Sequence, residues 1–369
     1  MIPTAPAKVC VIVDTNIWRS ETLFRTPLGV ALLYTIRQNG ARLGVPEVIE
    51  REIRKQILQS GLEAHERMVK SGRLLQRILN SSVDPIISSA SPAPKIRRAI
   101  DVRLAELEGM LIRVPLTLDH VRRALDRVDS ATPPSGGRKQ QYKDCLIWEA
   151  ASELASEWIV YIVSQDGAFF DGSHLTKPLV EECKRKNVII KAFRSLQDLI
   201  KELVPQAPAV DYEALEQVVR IEGAVAAQDN LRRERWMTLG DLQDINLQVF
   251  ATEEPEKLSV MFEAIFTLSG SPSMVVKEGL SGKAKRVPIE NEPILDPSIR
   301  VQGSFLYDTR SREAADFTSN KADISWVGED GIRRRGSSIY SAGGSTTLLA
   351  GPAITTVSGD AVFQFQDEM

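Results

Sequence analysis

Four acids, Asp14, Glu52, Asp144 and Asp166, carry the chemistry this sequence offers. Asp14 closes the apolar run Val9-Cys-Val-Ile-Val13, and Asp166 follows Trp158-Ile-Val-Tyr-Ile-Val163 after only Ser164 and Gln165. Apolar, β-branched runs of this length read as strands buried on both faces of a parallel sheet. Glu52 and Asp144 stand near the starts of two segments with helical spacing. Strand carboxyl ends and helix N-termini share the ligand-binding edge of such a sheet, so four acids distant in sequence can converge there. Converging carboxylates repel and rise in pKa unless a cation neutralises them, and an oxygen-only set suits a hard ion such as Mg²⁺ or Mn²⁺. The corresponding chemistry is metal-assisted hydrolysis at phosphate, with the ion orienting a water, lowering its pKa and stabilising the scissile group. Taken alone, the Asp14 stretch is equally an N-cap, since Asp, Thr and Asn all cap well. The same strand-then-acid construction at Asp166 favours the ligand reading.

The elements that must hold these acids follow a strand-helix alternation. Pro27 to Asn39 has helical apolar spacing and ends at Gly40, a natural C-cap; Ala41 to Val45 is a short strand; Pro46 opens the helix that carries Glu52. From about Ser60 the charged helical sequence reads as an insertion over roughly residues 60–110, broken by a Pro- and Ser-rich stretch at Asp84 to Pro94. Leu111 to Val114 is a further strand candidate, and Thr117 caps the helix that follows. The loop Ser130 to Gln141 has two prolines and two glycines and leads into the helix of Asp144. A helix at Lys177 to Lys186, a strand at Asn187 to Ile190 and a helix at Ser195 to Leu203 complete the unit. Asp211 to about Leu239 is helical and reads as a connector or an oligomer helix. Beyond Asp244, alternation at Val260, Phe262, Ala264, Phe266 and Leu268, and again from Ile299 to Tyr307, gives half-buried antiparallel strands. Further strands are expected at Ala322 to Val327, Ser338 to Ser341, Ala353 to Ser358 and Ala361 to Gln366, forming a sandwich or barrel.

The motifs VIVDTN16, PEVIEREI53, KDCLIWEAA151 and VSQDGAFF170, in this order, resemble those of the PIN-domain nucleases, the VapC toxin and PilT N-terminal group. The resemblance covers about Val9 to Leu203, with a helical insertion longer than in the small toxins. It implies a three-layer α/β/α fold, a Mg²⁺- or Mn²⁺-dependent ribonuclease, and Asp14, Glu52, Asp144 and Asp166 as metal-binding acids. Glu47 and Glu50 are alternatives for the second acid. The family often has a further acid two residues after the fourth, where this chain has Ala168; Asp171 is the candidate replacement. The whole reads as an α/β parallel-sheet domain at 1–204, a helical linker at 205–240 and a mostly antiparallel β domain at 241–369.

Around the acids, Asn16 and Ser164 are expected either to aim the neighbouring carboxylates or to serve as turn residues. Lys95 to Lys143 holds eleven Lys or Arg against six Asp or Glu, a local basic excess in a chain of formal net charge -3. Arg122, Arg123, Arg127, Arg138, Lys139 and Lys143 are the candidate phosphate contacts, weighed against a solvated helix face. Trp148 reads as core, and Glu149 as exposed or structural.

Composition bounds the rest. A chain of 369 residues with 43% hydrophobic and 26% charged positions is an ordinary globular composition with room for two cores. Three scattered cysteines without CxxC spacing point to reduced thiols and a cytoplasmic setting, and the three histidines form no zinc motif. No run is long enough to cross a membrane. The reading is an endoribonuclease acting on RNA, with DNA cleavage or a non-catalytic nucleic-acid-binding or assembly module as rivals. The β-rich part would recruit substrate, a protein partner or a second copy, and a toxin role with a protein inhibitor fits the same resemblance.

Overall fold

The computed structural model describes residues 8–79, 90–136, 141–204, 209–232, 236–271, 273–277, 284–288, 294–328, 333–338, 356–357 and 360–361. The chain divides into two compact units, Met1–Gln206 with Ala251–Glu253, and Ala207–Phe250 with Glu254–Met369.

The first unit is built on a five-stranded parallel sheet. Its strands are β1 (Val9–Val13), β2 (Arg42–Pro46), β3 (Leu111–Val114), β4 (Ile159–Val163) and, after the short strands β5 (Phe170–Asp171) and β6 (His174–Leu175), β7 (Ile190–Phe193). The order β3-β2-β1-β4-β7 places β1 and β4 side by side, with Val13 opposite Val163. Cys10 to Val13 and Val160 to Val163 are almost wholly buried because helices cover both faces. Each such aliphatic side chain contributes about 1.5–3 kcal/mol on burial. The covering helices are α1 (Thr15–Ser20), α2 (Pro27–Gln38), α3 (Glu47–Leu79), α4 (Ala93–Leu107), α5 (Leu118–Asp129), α6 (Tyr142–Leu154), α7 (Lys177–Lys186) and α8 (Leu196–Leu203). From β1 the chain runs outward to β2 and β3, and from β4 it runs to β7 on the other side. The switch point of the sheet therefore falls between β1 and β4, the crevice where α/β sheets take ligands.

Three local expectations are corrected here. The helix bearing Glu52 does not stop near Ser60 to begin a separate insertion; α3 runs unbroken for 33 residues. Gly61 does not end it, because α4 packs closely there: a Cβ on Gly61 would lie 2.8 Å from Ile96. The last strand is Ile190–Phe193, later than the expected Asn187 to Ile190. Asn187 has φ 52°, the left-handed C-cap of α7, so its backbone turns before any strand can start. Pro46 ends β2 and the helix begins at Glu47.

The second unit is an antiparallel half-barrel with helices on it. Its helices are α9 (Tyr212–Val218), a π turn at Val219–Gly223 and α10 (Ala224–Leu231). Its strands are β8 (Met237–Ala251), β9 (Lys257–Gly270), β10 (Ser273–Lys277), β11 (Ala284–Pro288), β12 (Leu295–Asp308), β13 (Ala314–Val327), β14 (Arg333–Ser338), β15 (Thr356–Val357) and β16 (Asp360–Ala361). The main sheet has the order β14-β13-β12-β9-β8, while β10 with β11 and β15 with β16 form separate two-stranded pairs. The alternating residues Val260, Phe262, Ala264, Phe266 and Leu268 all face the core, as do Ile299, Val301, Phe305 and Tyr307. Gly303 lets the sheet close over Phe262: a Cβ there would meet Thr318 O at 2.1 Å and the Phe262 ring at 2.7 Å. The helical stretch ends at Leu231, and Met237 to Leu239 already belong to β8. Leu215, Val219, Ala227 and Leu231 are buried in the same core as the strands, so this segment packs into the second unit. The strand expected at Ser338 to Ser341 is β14, which starts at Arg333; residues 339–341, and most of Ala353 to Ser358 and Ala361 to Gln366, lie outside the described residues.

Candidate functional site

Each of the four acids reaches the switch-point edge by its own element. Asp14 follows β1; its N–H is donated to Val163 O at 2.9 Å, so the end of β1 is stitched to β4. Asp14 is the N-cap residue of α1 but makes no side-chain capping bond. Its carboxylate instead accepts from Ser164 Oγ at 2.8 Å. The same hydroxyl accepts the Asp166 N–H at 3.0 Å, tying the two strand ends together through one buried side chain. Asp166 caps the short turn Gly167–Phe169: its Oδ1 accepts from Ala168 N at 3.0 Å and from Gln141 Nε2 at 3.2 Å. The position where an acid might have stood thus supplies a backbone donor.

Glu52 lies in the second turn of α3, and its carboxylate accepts from Thr15 Oγ1 at 3.2 Å, Gln56 Nε2 at 3.0 Å and Lys143 Nζ at 2.7 Å. Asp144 is in the first turn of α6, half-buried, and accepts no hydrogen bond among the described residues. The electrostatics connect all four. Burial raises the Asp14 carboxyl; the bonds from Ser164 and the Thr15 amide oppose this, and the charges of Glu52 and Asp166 add to it. Asp144 is pushed up to about 7, first by burial, then by the charges of Asp166, Asp14 and Glu52, with Lys143 pulling the other way.

The alternatives for the second acid are occupied elsewhere. Glu47 accepts from Leu116 N at 2.8 Å and pairs with Arg51, which holds its carboxyl below the usual range. Glu50 is held by Arg54 and Arg113. Asp171 is exposed in β5, opposite His174. Asn16 is exposed on α1; the neighbouring Thr15 is the residue that reaches a carboxylate.

Among the described residues, no three acid, histidine or cysteine side chains form a ready cage for an ion. Three of the four acids have other partners: Glu52 bonds Lys143, Asp166 bonds Gln141 and its own turn, and Asp14 bonds Ser164. The donor set nevertheless fits a hard divalent cation. It is entirely carboxylate oxygen, and burial together with the mutual repulsion of the acids pushes Asp144 up to about 7.

Residues 11–169 match the family model for the PIN domain. No curated protein and no solved structure matches the chain. PIN domains are generally nucleases. Within this PIN-like region the expected phosphate contacts separate. Arg127 is not one: its side chain is 12% exposed and its guanidinium donates to Glu149 at 2.6 Å, Glu182 at 2.6 Å and Pro133 O at 2.8 Å. An Arg so enclosed, with four of its five N–H donors engaged, is held in the scaffold, and i+4 charge spacing on α5 could not reveal partners on α6 and α7. Arg123 is exposed and pairs with Asp119 at 3.1 Å, and Arg122 is exposed. Arg138 and Lys139 lie outside the described residues. Trp148 is core, its Nε1 donating to Glu182 at 3.3 Å, and Glu149 is buried in the same network. Thr15, Gln56 and Gln141 were not anticipated; the one available signal was Gln56 standing four residues after Glu52, on the same helix face.

Proposed function

We propose that the PIN-like unit is a Mg²⁺- or Mn²⁺-dependent endoribonuclease, with Asp14, Glu52, Asp144 and Asp166 holding the cation. One observation carries the reading: four acids from four elements stand within electrostatic reach of one another at the sheet's switch point, where burial first, and then the charges of Asp166, Asp14 and Glu52, raise Asp144 to about 7. Structural carboxylates are normally paired, and a cluster left with surplus negative charge is favourable only with a cation to come. A bound divalent ion supplies Lewis acidity and neutralises charge on the phosphate. The chain's own residues prepare for it. Ser164 orients Asp14, Gln141 and the Ala168 amide orient Asp166, Thr15 and Gln56 orient Glu52, and Asp144 would complete the set as an ionised carboxylate.

RNA is the proposed substrate because the motifs resemble the toxin-like ribonucleases; the exposed Arg122 and Arg123, with Arg138 and Lys139, are the proposed phosphate contacts. The half-barrel unit is proposed to recruit substrate, a partner or a second copy. The free, buried Cys10, Cys145 and Cys183 fit a reducing, cytoplasmic setting. The test incubates the full chain with matched RNA and DNA oligonucleotides in Mn²⁺, with and without EDTA, beside Asp14→Asn. Metal-dependent RNA cleavage lost in the variant supports the reading; cleavage unchanged by EDTA or by the substitution sinks it. Preferential DNA cleavage would keep the mechanism and replace the substrate.

A further inference from the structure

Lys143 was expected at the phosphate, yet its ammonium lies 2.7 Å from Glu52 Oε1. It is the residue just before Asp144, and its charge opposes the repulsion that Asp14, Glu52 and Asp166 impose there. The pair is not a buried structural bridge: the Lys143 side chain is 62% exposed and that of Glu52 21%. A long, exposed lysine pairs weakly and exchanges readily, since the net worth of such a pair is small. Glu52 would not be left without donors if Lys143 moved away, because Thr15 Oγ1 and Gln56 Nε2 also reach it. These features describe a removable countercharge at the mouth of an over-charged acid cluster.

We propose that Lys143 is the resident cation of this site, neutralising Glu52 until a divalent ion displaces it, and that it thereby sets how much metal the protein needs. The proposal rests on the four-carboxylate reading above. Displacement makes metal binding an exchange of one cation for another, so apparent affinity is lower than the four acids alone would give. Removing the ammonium must therefore tighten metal binding, the opposite of what loss of a ligand or a general disturbance of the site would do. It must also leave the acids less well compensated in the metal-free protein.

The test titrates Mn²⁺ alone into metal-free full-length protein by calorimetry at fixed ionic strength, for wild type, Lys143→Met, Lys143→Arg and Asp144→Asn. Melting in EDTA and in Mn²⁺ is recorded for each. Lys143→Met is expected to bind Mn²⁺ roughly three- to thirtyfold more tightly, the range for one partly screened charge near carboxylates. It should melt lower in EDTA and gain more from Mn²⁺, whereas Lys143→Arg should bind like wild type. Lys143→Gln takes the place of the methionine variant should that one fail to fold. Equal or weaker binding in the neutral variant, with binding still lost in Asp144→Asn, overturns the role of Lys143 alone. Equal tightening in Lys143→Arg also overturns it, since charge would not then be the cause. No Mn²⁺ binding by wild type, or unchanged binding in Asp144→Asn, overturns the carboxylate reading itself.

Discussion

Helix α6 carries two charged clusters that obey opposite rules. Asp144 and Glu149 stand five positions apart on the same helix. Around Glu149 the charges balance: Arg127 and Lys186 neutralise Glu149 and Glu182, the guanidinium is bonded on three sides, and Trp148 adds an N–H. Around Asp144 they do not, since three carboxylates face a fourth with Lys143 as a partial offset. Buried charge that is balanced by opposite charge holds helices in place, here α5, α6 and α7. Buried charge that is left in surplus opposes folding and persists where something else is to bind. The difference between the clusters, more than the presence of acids in either, separates scaffold from site.

The sharpest way to break this comparison is Asp14→Asn. It should lower metal-dependent RNA cleavage roughly 10²–10⁴-fold while leaving the melting temperature of the metal-free protein no lower than wild type. Cleavage assays and thermal melts on the same preparation check both halves, and a large loss of stability would place Asp14 with the scaffold. Arg127→Met should do the reverse. It strands Glu149 and Glu182 as buried, unpaired acids and should cost about 3–5 kcal/mol in urea unfolding. A cost near zero would mean that the balanced network is not what holds the helices.

Ser164→Ala comes next, because its hydroxyl aims Asp14 and steadies the Asp166 backbone. Mn²⁺ affinity should fall about 10–100-fold, as for other groups that orient metal ligands, and calorimetry checks it. The smallest effect concerns pH. The Asp144 carboxyl lies at about 7 in the folded protein against an ordinary 3.8. Between those values the folded chain keeps a proton that the unfolded chain has lost, so stability falls as pH rises through this window and levels off above it. Asp144→Asn removes that penalty. Without metal it should exceed wild type by about 1–2 kcal/mol at pH 8, a figure reduced for partial exposure, and converge with it near pH 4. Melts across that range would refute the idea if the gap were constant.

The sequence reveals those features that local periodicity encodes. Val9 to Val13 and Ile159 to Val163 could only be doubly buried strands, and once they pair in parallel Asp14 and Asp166 must share an edge. Thr117 announces its helix through a capping box with His120. What escaped was set at long range. Nothing local shows that α3 continues past Gly61, because Ile96 on another helix makes that glycine a contact. Arg127 looked available because its two carboxylate partners lie 22 and 55 residues away. The choice among Glu47, Glu50 and Glu52 likewise depends on Arg113 and Leu116, which engage the first two, and on Lys143, Thr15 and Gln56 around the third.

The Ser164 hydroxyl has a further consequence. Because one side chain bonds both the carboxylate after β1 and the Asp166 amide beyond β4, the two acids are tied to neighbouring strands, whose backbones lie about 4.8 Å apart. That distance belongs to every sheet and owes nothing to the surrounding loops. The anchorage of the two acids thus begins in the backbone of the sheet, and the segments around it are at liberty to differ in length and composition without moving it.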